Sequence, residues 1–279
     1  MKKFALIGKD IASSQSPALF KAAYGGKYAF ELLQGDSFAP LMKEFKKNYE
    51  AVNVTAPFKR DALAAADVRT EAADLCGAAN MLRKLPDSRI EADNSDLEGV
   101  ALSLMSAYAM KDVDVEDEDA FADYLGGKTA LVAGCGGAGR AAAAAVVSLG
   151  FGCTVLMDRT AEKAAALQKH LAGYFDDLNP EEIRTAPMED FAREFAKADL
   201  VVYAIPVGID AVKDLAALPA DKDKFVLEAC YSAPALEALG DRFNYISGYN
   251  WLLNQAIISY EVFTGEEPDE EAMRKAIRI

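Results

Sequence analysis

Lys59 and Asp96 are of a type and setting that fit proton transfer to or from an alcohol. Oxidising an alcohol by loss of hydride requires a group that takes the hydroxyl proton as the hydride leaves and returns it in reverse. A lysine can do this when burial or its neighbours bring its pKa towards neutrality, and an aspartate at a helix head can orient it. Lys59 closes the segment Asn53-Val54-Thr55-Ala56-Pro57-Phe58-Lys59, which sets amide and hydroxyl side chains at the end of a predicted strand, and Asp96 follows Asn94-Ser95 at the start of a predicted helix. Ser14, Ser16 and Asn80 also fall near predicted strand ends. Ligands of open α/β sheets gather beyond the carboxyl ends of the strands, so these positions can converge. Plainer alternatives stand beside each: Ser14-Gln15-Ser16-Pro17 as a helix cap, Asn53 and Asn80 as turn residues, Asp96 as a cap and Lys59 as a solvated helix side chain.

What would face such a pair is a dinucleotide. Lys128 to Ala133 reads as a strand, Gly134-Cys135-Gly136-Gly137-Ala138-Gly139 follows at once, and Arg140 to Val147 opens an alanine-rich helix. This is G-x-G-x-x-G in its proper setting. Gly134 permits the tight turn, Gly136 lets backbone approach a pyrophosphate, Gly139 lets the helix pack on its strand, and the amides of Gly137 and Ala138 open the helix towards phosphate. A second strand from Cys153 to Met157, ending in Asp158-Arg159-Thr160, completes a βαβ unit. A nicotinamide dinucleotide is therefore expected as cofactor.

Composition narrows the rest. The chain has 279 residues, 52% of them hydrophobic, enough for two packed domains. A net charge of −14 without clustered Lys and Arg argues against nucleic acid. An anionic substrate must then be captured by local donors against the overall field. The apolar run Phe4 to Gly8 is too brief for a signal segment or a membrane span. Cys76, Cys135, Cys153 and Cys230 lack C-x-x-C spacing and read as thiols in a reducing cytoplasm, with no metal site expected. The single histidine, His170, lies on a charged helix, so His-based hydrolase or dehydrogenase chemistry has no obvious carrier. Tyr124 and Lys128 have tyrosine–lysine dehydrogenase spacing, but Gly126-Gly127 breaks the helix they would need to share.

The elements that must position these groups alternate strand and helix. The first part gives strands at Phe4 to Ile7, Tyr28 to Leu33 and Ala51 to Val54, helices at Pro17 to Ala23, Phe38 to Asn48, Pro57 to Ala66 and Glu71 to Cys76, and a hairpin from Ala79 to Asp93 turning at Pro86-Asp87-Ser88. A helix from Asp96 to Tyr108 follows, then an acidic stretch, Asp112 to Asp119, read as a solvated connector. Six strands, at Ala130 to Ala133, Thr154 to Met157, Ile183 to Thr185, Leu200 to Tyr203, Phe225 to Glu228 and Tyr245 to Ile246, suit a doubly wound, Rossmann-type sheet. Helices at Asn250 to Phe263 and Asp269 to Ile277 would return to the first domain. The expected class is thus α/β, with a substrate-binding and catalytic domain over residues 1–97 joined by helices in 249–279, and a dinucleotide-binding domain over 98–248. The default site is the cleft between them.

The chain resembles the shikimate and quinate/shikimate dehydrogenases over nearly its whole length. Ser14-x-Ser16-Pro17 is similar to the family's serine pair for the substrate carboxylate, and Asn53-Val54-Thr55-x-Pro57-Phe58-Lys59 to its most distinctive signature, whose lysine is catalytic. Gly77-Ala78-Ala79-Asn80 resembles the segment whose asparagine binds substrate hydroxyls, and Asn94-Ser95-Asp96 the one whose aspartate pairs with the lysine. Gly134 to Ala141 matches the glycine loop, Gly248 with Gln255-Ala256 a C-terminal element whose glutamine reaches the substrate, and Tyr231 a substrate-side tyrosine. The resemblance implies reversible, dinucleotide-dependent reduction of 3-dehydroshikimate to shikimate in aromatic amino-acid (chorismate) biosynthesis, by a cytoplasmic monomer or homodimer with a small-molecule substrate and no nucleic-acid or membrane partner.

The chain departs from the family at Ser13, at Phe20-Lys21, at Tyr203-Ala204-Ile205-Pro206-Val207-Gly208, at the short Tyr231-Ser232-Ala233-Pro234 and at Trp251, where a methionine is common. These departures leave open an NAD-dependent quinate or other cyclic hydroxy-acid dehydrogenase, and a catalytically silent binding protein of the same fold. Cofactor choice turns on Asp158-Arg159-Thr160. Asp158 stands about 20 residues past the glycines, where an acidic side chain would hold the ribose diol of NAD. Arg159, Thr160 and Lys163 would instead receive the 2′-phosphate of NADP. The balance leans to NADP, with NAD as the alternative.

Overall fold

The computed structural model describes residues 2–175 and 182–277. The chain divides into two compact units, one of Met1–Gly99 with Leu252–Ile279 and one of Val100–Trp251. Both boundaries fall inside helices, Ser95–Ala109 and Gly248–Thr264.

The first unit is built on β1 (Lys3–Gly8), β2 (Ala29–Gln34), β3 (Ala51–Val54), β4 (Val68–Arg69), β5 (Met81–Lys84) and β6 (Ile90–Asp93), in the order β2-β1-β3-β5-β6-β4. β1, β2 and β3 are parallel, and the β5–β6 hairpin runs antiparallel to β3. β1 and β3 are continuous buried runs because helices cover both faces of this sheet. On one face Leu41, Met42 and Phe45 of the helix Phe38–Asn48 pack with Val52, Val54, Phe58, Ala62 and Leu82. On the other, Phe4 stacks on Phe263 at 5.8 Å and Phe20 meets Tyr260 edge-on at 4.7 Å. The last helix, Glu270–Ile277, buries Met273 and Ile277, and Asp269 N donates to Ala23 O at 3.0 Å. The C-terminal helices thus complete the first core.

The second unit holds β7 (Thr129–Ala133), β8 (Cys153–Met157), β9 (Ile183–Thr185), β10 (Leu200–Tyr203), β11 (Phe225–Glu228) and β12 (Asn244–Ile246). All are parallel, in the order β12-β11-β10-β7-β8-β9, the doubly wound topology of a dinucleotide-binding sheet. The helix Gly137–Ser148 after β7 buries an unbroken run from Ala141 to Val147, and its small alanines let it lie close on the sheet.

Three expectations shift. The helix expected from Pro57 starts at Lys59, after a turn in which Phe58 N donates to Thr55 O at 3.0 Å. The acidic connector ends in a helix, Glu118–Gly126, capped by Asp117 and anchored by Phe121 and Leu125; its apolar period begins only where the acidic run stops. β4 was not expected, because two residues are too few to display alternation. Among the described residues, no helix is long and apolar enough to cross a membrane.

Candidate active site

The first unit brings its polar side chains to the carboxyl edge of β1 and β3. β3 delivers Asn53 and, just beyond, Thr55, whose N donates to Ile7 O of β1 at 2.8 Å. A Cβ on Gly8 would stand 2.6 Å from Thr55 Cγ2, so glycine at the end of β1 is what lets Thr55 sit over that strand. Lys59, the first residue of its helix, forms an ion pair with Asp96 Oδ2; their side chains are 12% and 9% exposed. A solvated lysine does not describe this.

Nor does Asp96 serve as the helix cap. Asn94 takes that part: its Oδ1 accepts from Asp96 N at 3.0 Å, while its Nδ2 donates to Ala78 O at 2.7 Å. With Asn94 satisfying the helix end, the Asp96 carboxylate reaches Lys59. Asn94 and Ser95 were seen in sequence only as neighbours of Asp96, yet both organise the site. Asn80 Nδ2 donates to Ser95 Oγ at 3.0 Å, and Asn80 Oδ1 accepts from Ser95 N at 2.9 Å. Gln255 joins them, its Oε1 lying 3.4 Å from both Asn80 Nδ2 and Ser95 Oγ. A Cβ on Gly99 would come within 2.9 Å of Gln255 Cβ, so that glycine admits the helix carrying Gln255.

Asn53 is different. It is 7% exposed, and its Nδ2 is buried without a hydrogen-bond partner. A buried unsatisfied donor costs about 1–3 kcal/mol, and an acceptor supplied by a ligand would recover it. Ser14 Oγ lies 3.2 Å from Ser16 Oγ and accepts from Ser16 N at 3.2 Å, while Tyr260 OH donates to Ser16 O at 3.1 Å. The serine pair is therefore held by the same C-terminal helix that carries Gln255.

The second unit carries the glycine loop. Gly134 has φ +97°, a left-handed conformation open to glycine. A Cβ on Gly139 would fall 1.6 Å from Gly134 O, whereas one on Gly136 would meet nothing within 4 Å. Gly139 is thus required by packing, and Gly136 keeps space open in front of the helix. That helix has no side-chain cap and no acidic residue in its first turn. Unpaired amides facing open space fit the phosphates of a dinucleotide.

Asp158 accepts from Cys135 N through Oδ2 and from Thr160 N through Oδ1, both at 2.8 Å. It clips the glycine loop to the end of β8, while Arg159, Thr160 and Lys163 are exposed. Burial pushes the Cys135 thiol up to about 12, which keeps it an inert neutral group inside the loop. Tyr231 belongs to the second unit, where its ring packs on Tyr249 at 5.0 Å; it is not among the side chains gathered in the first. Gly248 has a packing reason of its own, since a Cβ there would stand 2.5 Å from Glu228 O.

Comparison with known proteins places the chain in a family. Residues 6–82 match the model of the shikimate dehydrogenase substrate binding domain, and residues 248–278 that of the shikimate 5′-dehydrogenase C-terminal domain. The shikimate dehydrogenase (NADP+) of Halorubrum lacusprofundi is 32% identical, with 100% of this chain and 98% of that one covered. The crystal structure of Mycobacterium tuberculosis shikimate dehydrogenase superposes with a TM-score of 0.79 at 31% identity, covering 100% and 99% of the two chains. That of the Thermus thermophilus shikimate 5-dehydrogenase, in complex with NADP(H) and shikimate, gives 0.74 at 27%, covering 100% and 99%. Identity of this order along the whole chain, on a matching fold, establishes that it belongs to the shikimate dehydrogenase family.

Proposed function

We propose that this protein interconverts 3-dehydroshikimate and shikimate, with NADP(H) as the hydride partner and Lys59 and Asp96 as the proton-transfer pair. The observation that carries the reading is the buried Lys59–Asp96 ion pair beside the amides of Asn80 and Gln255. When bound, the nicotinamide exchanges hydride with the ring carbon. In the reducing direction, Lys59 Nζ gives a proton to the carbonyl oxygen as it becomes a hydroxyl, and Asp96 holds the ammonium in place. Ser14 and Ser16 donate to the substrate carboxylate, supplying the local capture that a net charge of −14 makes necessary. Asn53, Thr55, Asn80 and Gln255 take the ring hydroxyls, and resemblance to the family adds Tyr231 as a further substrate residue. The amides of Gly134 to Gly139 hold the pyrophosphate, with Gly248 nearby on the cofactor side. We assign the substrate to the first unit and the dinucleotide to the second.

The hydrogen bonds of Asp158 favour NADP over NAD. A carboxylate that already accepts two backbone N–H groups has part of its charge offset and is committed to the loop. Arg159, Thr160 and Lys163 remain for a 2′-phosphate, for which Arg offers a planar fork of donors. Arg159→Ala is expected to raise KM for NADP about 10- to 100-fold, the loss of a charge-assisted bond of about 1.5–3 kcal/mol, with KM for NAD little changed. Steady-state kinetics with both cofactors checks this; equal effects on the two would remove Arg159 from the phosphate site. The free thiols Cys76, Cys135, Cys153 and Cys230 accord with a cytoplasmic location.

Initial rates over shikimate and quinate, each with NADP and NAD, test the reading as a whole. Shikimate with NADP should give the highest kcat/KM, and a chain that oxidises neither acid would refute it. Asn53 supplies a sharper check. Asn53→Ala should raise KM for shikimate by about tenfold or more but lower Tm less than Asn80→Ala, because Asn53 Nδ2 has no bond to lose in the free protein. Thermal melts and shikimate kinetics of the two variants decide it.

A further inference from the structure

Glu228 ends β11 and is fully buried, yet no cationic side chain among the described residues pairs with it. Its carboxylate instead collects three donors: Ala235 N at 2.5 Å, Leu236 N at 3.0 Å and Tyr245 OH at 2.9 Å. A buried anion is a costly way to fill a core, and apolar replacements are often neutral or stabilising. What an ionised carboxylate offers is acceptor-only chemistry able to hold several convergent donors at once. Here two of those donors are backbone groups at the far end of the segment 229–236, which leaves β11 and carries Tyr231.

The neighbouring strand repeats the device. Tyr203 is the Cα partner of Glu228 on the last rung between β10 and β11, and it too is fully buried. Its OH donates to Val207 O at 2.8 Å, pinning the segment 204–209 that leaves β10. Burial, and after it the Glu228 charge, pushes the Tyr203 phenol up to about 12, so it is a neutral donor at physiological pH. The segment 204–209 packs against the glycine loop, since a Cβ on Gly134 would stand 3.0 Å from the Ala204 carbonyl and one on Gly139 would stand 3.6 Å from Ala204 Cβ. Two adjacent segments at the carboxyl edge of the sheet, where ligands of this topology bind, are therefore fixed from beneath at one rung.

We propose that Glu228 is a positioning residue for dinucleotide binding, which with Tyr203 and Tyr245 holds the segments 204–209 and 229–236 in place for the cofactor. The inference rests on the reading that a dinucleotide occupies the glycine loop. In Glu228→Gln one carboxylate oxygen becomes an amide donor facing a backbone N–H, so the turn at Ala235 and Leu236 loosens without loss of side-chain volume. Glu228→Gln is expected to raise the Kd for NADPH, read by fluorescence titration of the nicotinamide, by about tenfold, while KM for 3-dehydroshikimate, on which the segment bears through Tyr231 alone, rises by no more than about threefold. Tyr245→Phe keeps the buried charge and removes one donor, and should shift the same Kd in the same direction by a smaller factor. If Glu228→Gln does not melt cooperatively, Tyr245→Phe carries the test. NADPH affinity matching the unaltered protein in the folded variants would overturn the proposal, as would equal losses in both substrates' constants, which mark general loosening. An unaltered chain that binds no dinucleotide would sink the functional reading itself and this inference with it.

Discussion

Lys59→Arg should lower kcat by about 10²–10⁴ while leaving Tm close to that of the unaltered protein. Arginine keeps a cation opposite Asp96, so the carboxylate does not become an unpaired buried charge, but a guanidinium does not give up its proton near neutral pH. Lys59→Ala confounds two losses, since it removes the proton carrier and also strands Asp96, at a cost of about 3–5 kcal/mol for breaking a buried pair. Asp96→Asn tests the other half. It leaves Lys59 unoriented and should also depress kcat. If the two side chains act as one device, the double variant Lys59→Arg/Asp96→Asn will be no slower than the worse single variant, because a unit already disabled has little left to lose. Additive losses would mean that the residues act separately. Retention of kcat within about tenfold by Lys59→Arg would remove Lys59 from proton transfer altogether.

Much of this arrangement was legible in the sequence, because the informative residues violate their local pattern. Asn53 interrupts an otherwise apolar strand, Ala51–Val54, and a polar side chain in a fully buried strand invites a functional reading. The second sheet was equally readable. Its central strands, β7, β8, β10 and β11, are short and mostly apolar runs, and the expected bounds of all six strands differ from the observed ones by no more than a residue, as at Thr129 and Cys153. What stayed hidden depends on which of several adjacent groups wins a partner. Asn94, Ser95 and Asp96 can all cap a helix by type. Only the approach of Ala78 O to Asn94 Nδ2 selects Asn94, and that approach is set by the pairing of β5 with β6, which brings the two ends of the hairpin together. Asp158 was likewise ambiguous, because nothing in its own stretch says that Cys135 N would reach it. The need for glycine at Gly99 depends on Gln255, more than 150 residues further along the chain.

Two alanine substitutions in the glycine loop should separate cofactor binding from folding. In Gly139→Ala the new Cβ falls 1.6 Å from Gly134 O and 2.7 Å from Gly134 C, both backbone atoms that no rotamer change can move aside. The loop or the helix Gly137–Ser148 must shift. Overpacking of this kind costs about 1–3 kcal/mol or more, which lowers Tm by roughly 2–4 °C per kcal/mol in a chain of this size. NADP affinity should collapse with it, since the displaced helix is the one whose amides face the phosphates. Gly136→Ala makes the contrasting case. Its φ of −74° suits any residue, and its Cβ enters open space, so Tm should not move. That space is where a pyrophosphate must approach, so a methyl group there should raise KM for NADP by about 10- to 100-fold, equivalent to roughly 1–3 kcal/mol of steric conflict. Melting curves and NADP kinetics of the pair provide the measurement. A Gly136→Ala variant with unchanged KM would show that the dinucleotide does not cross the loop at that glycine, whatever Gly139→Ala does to the fold.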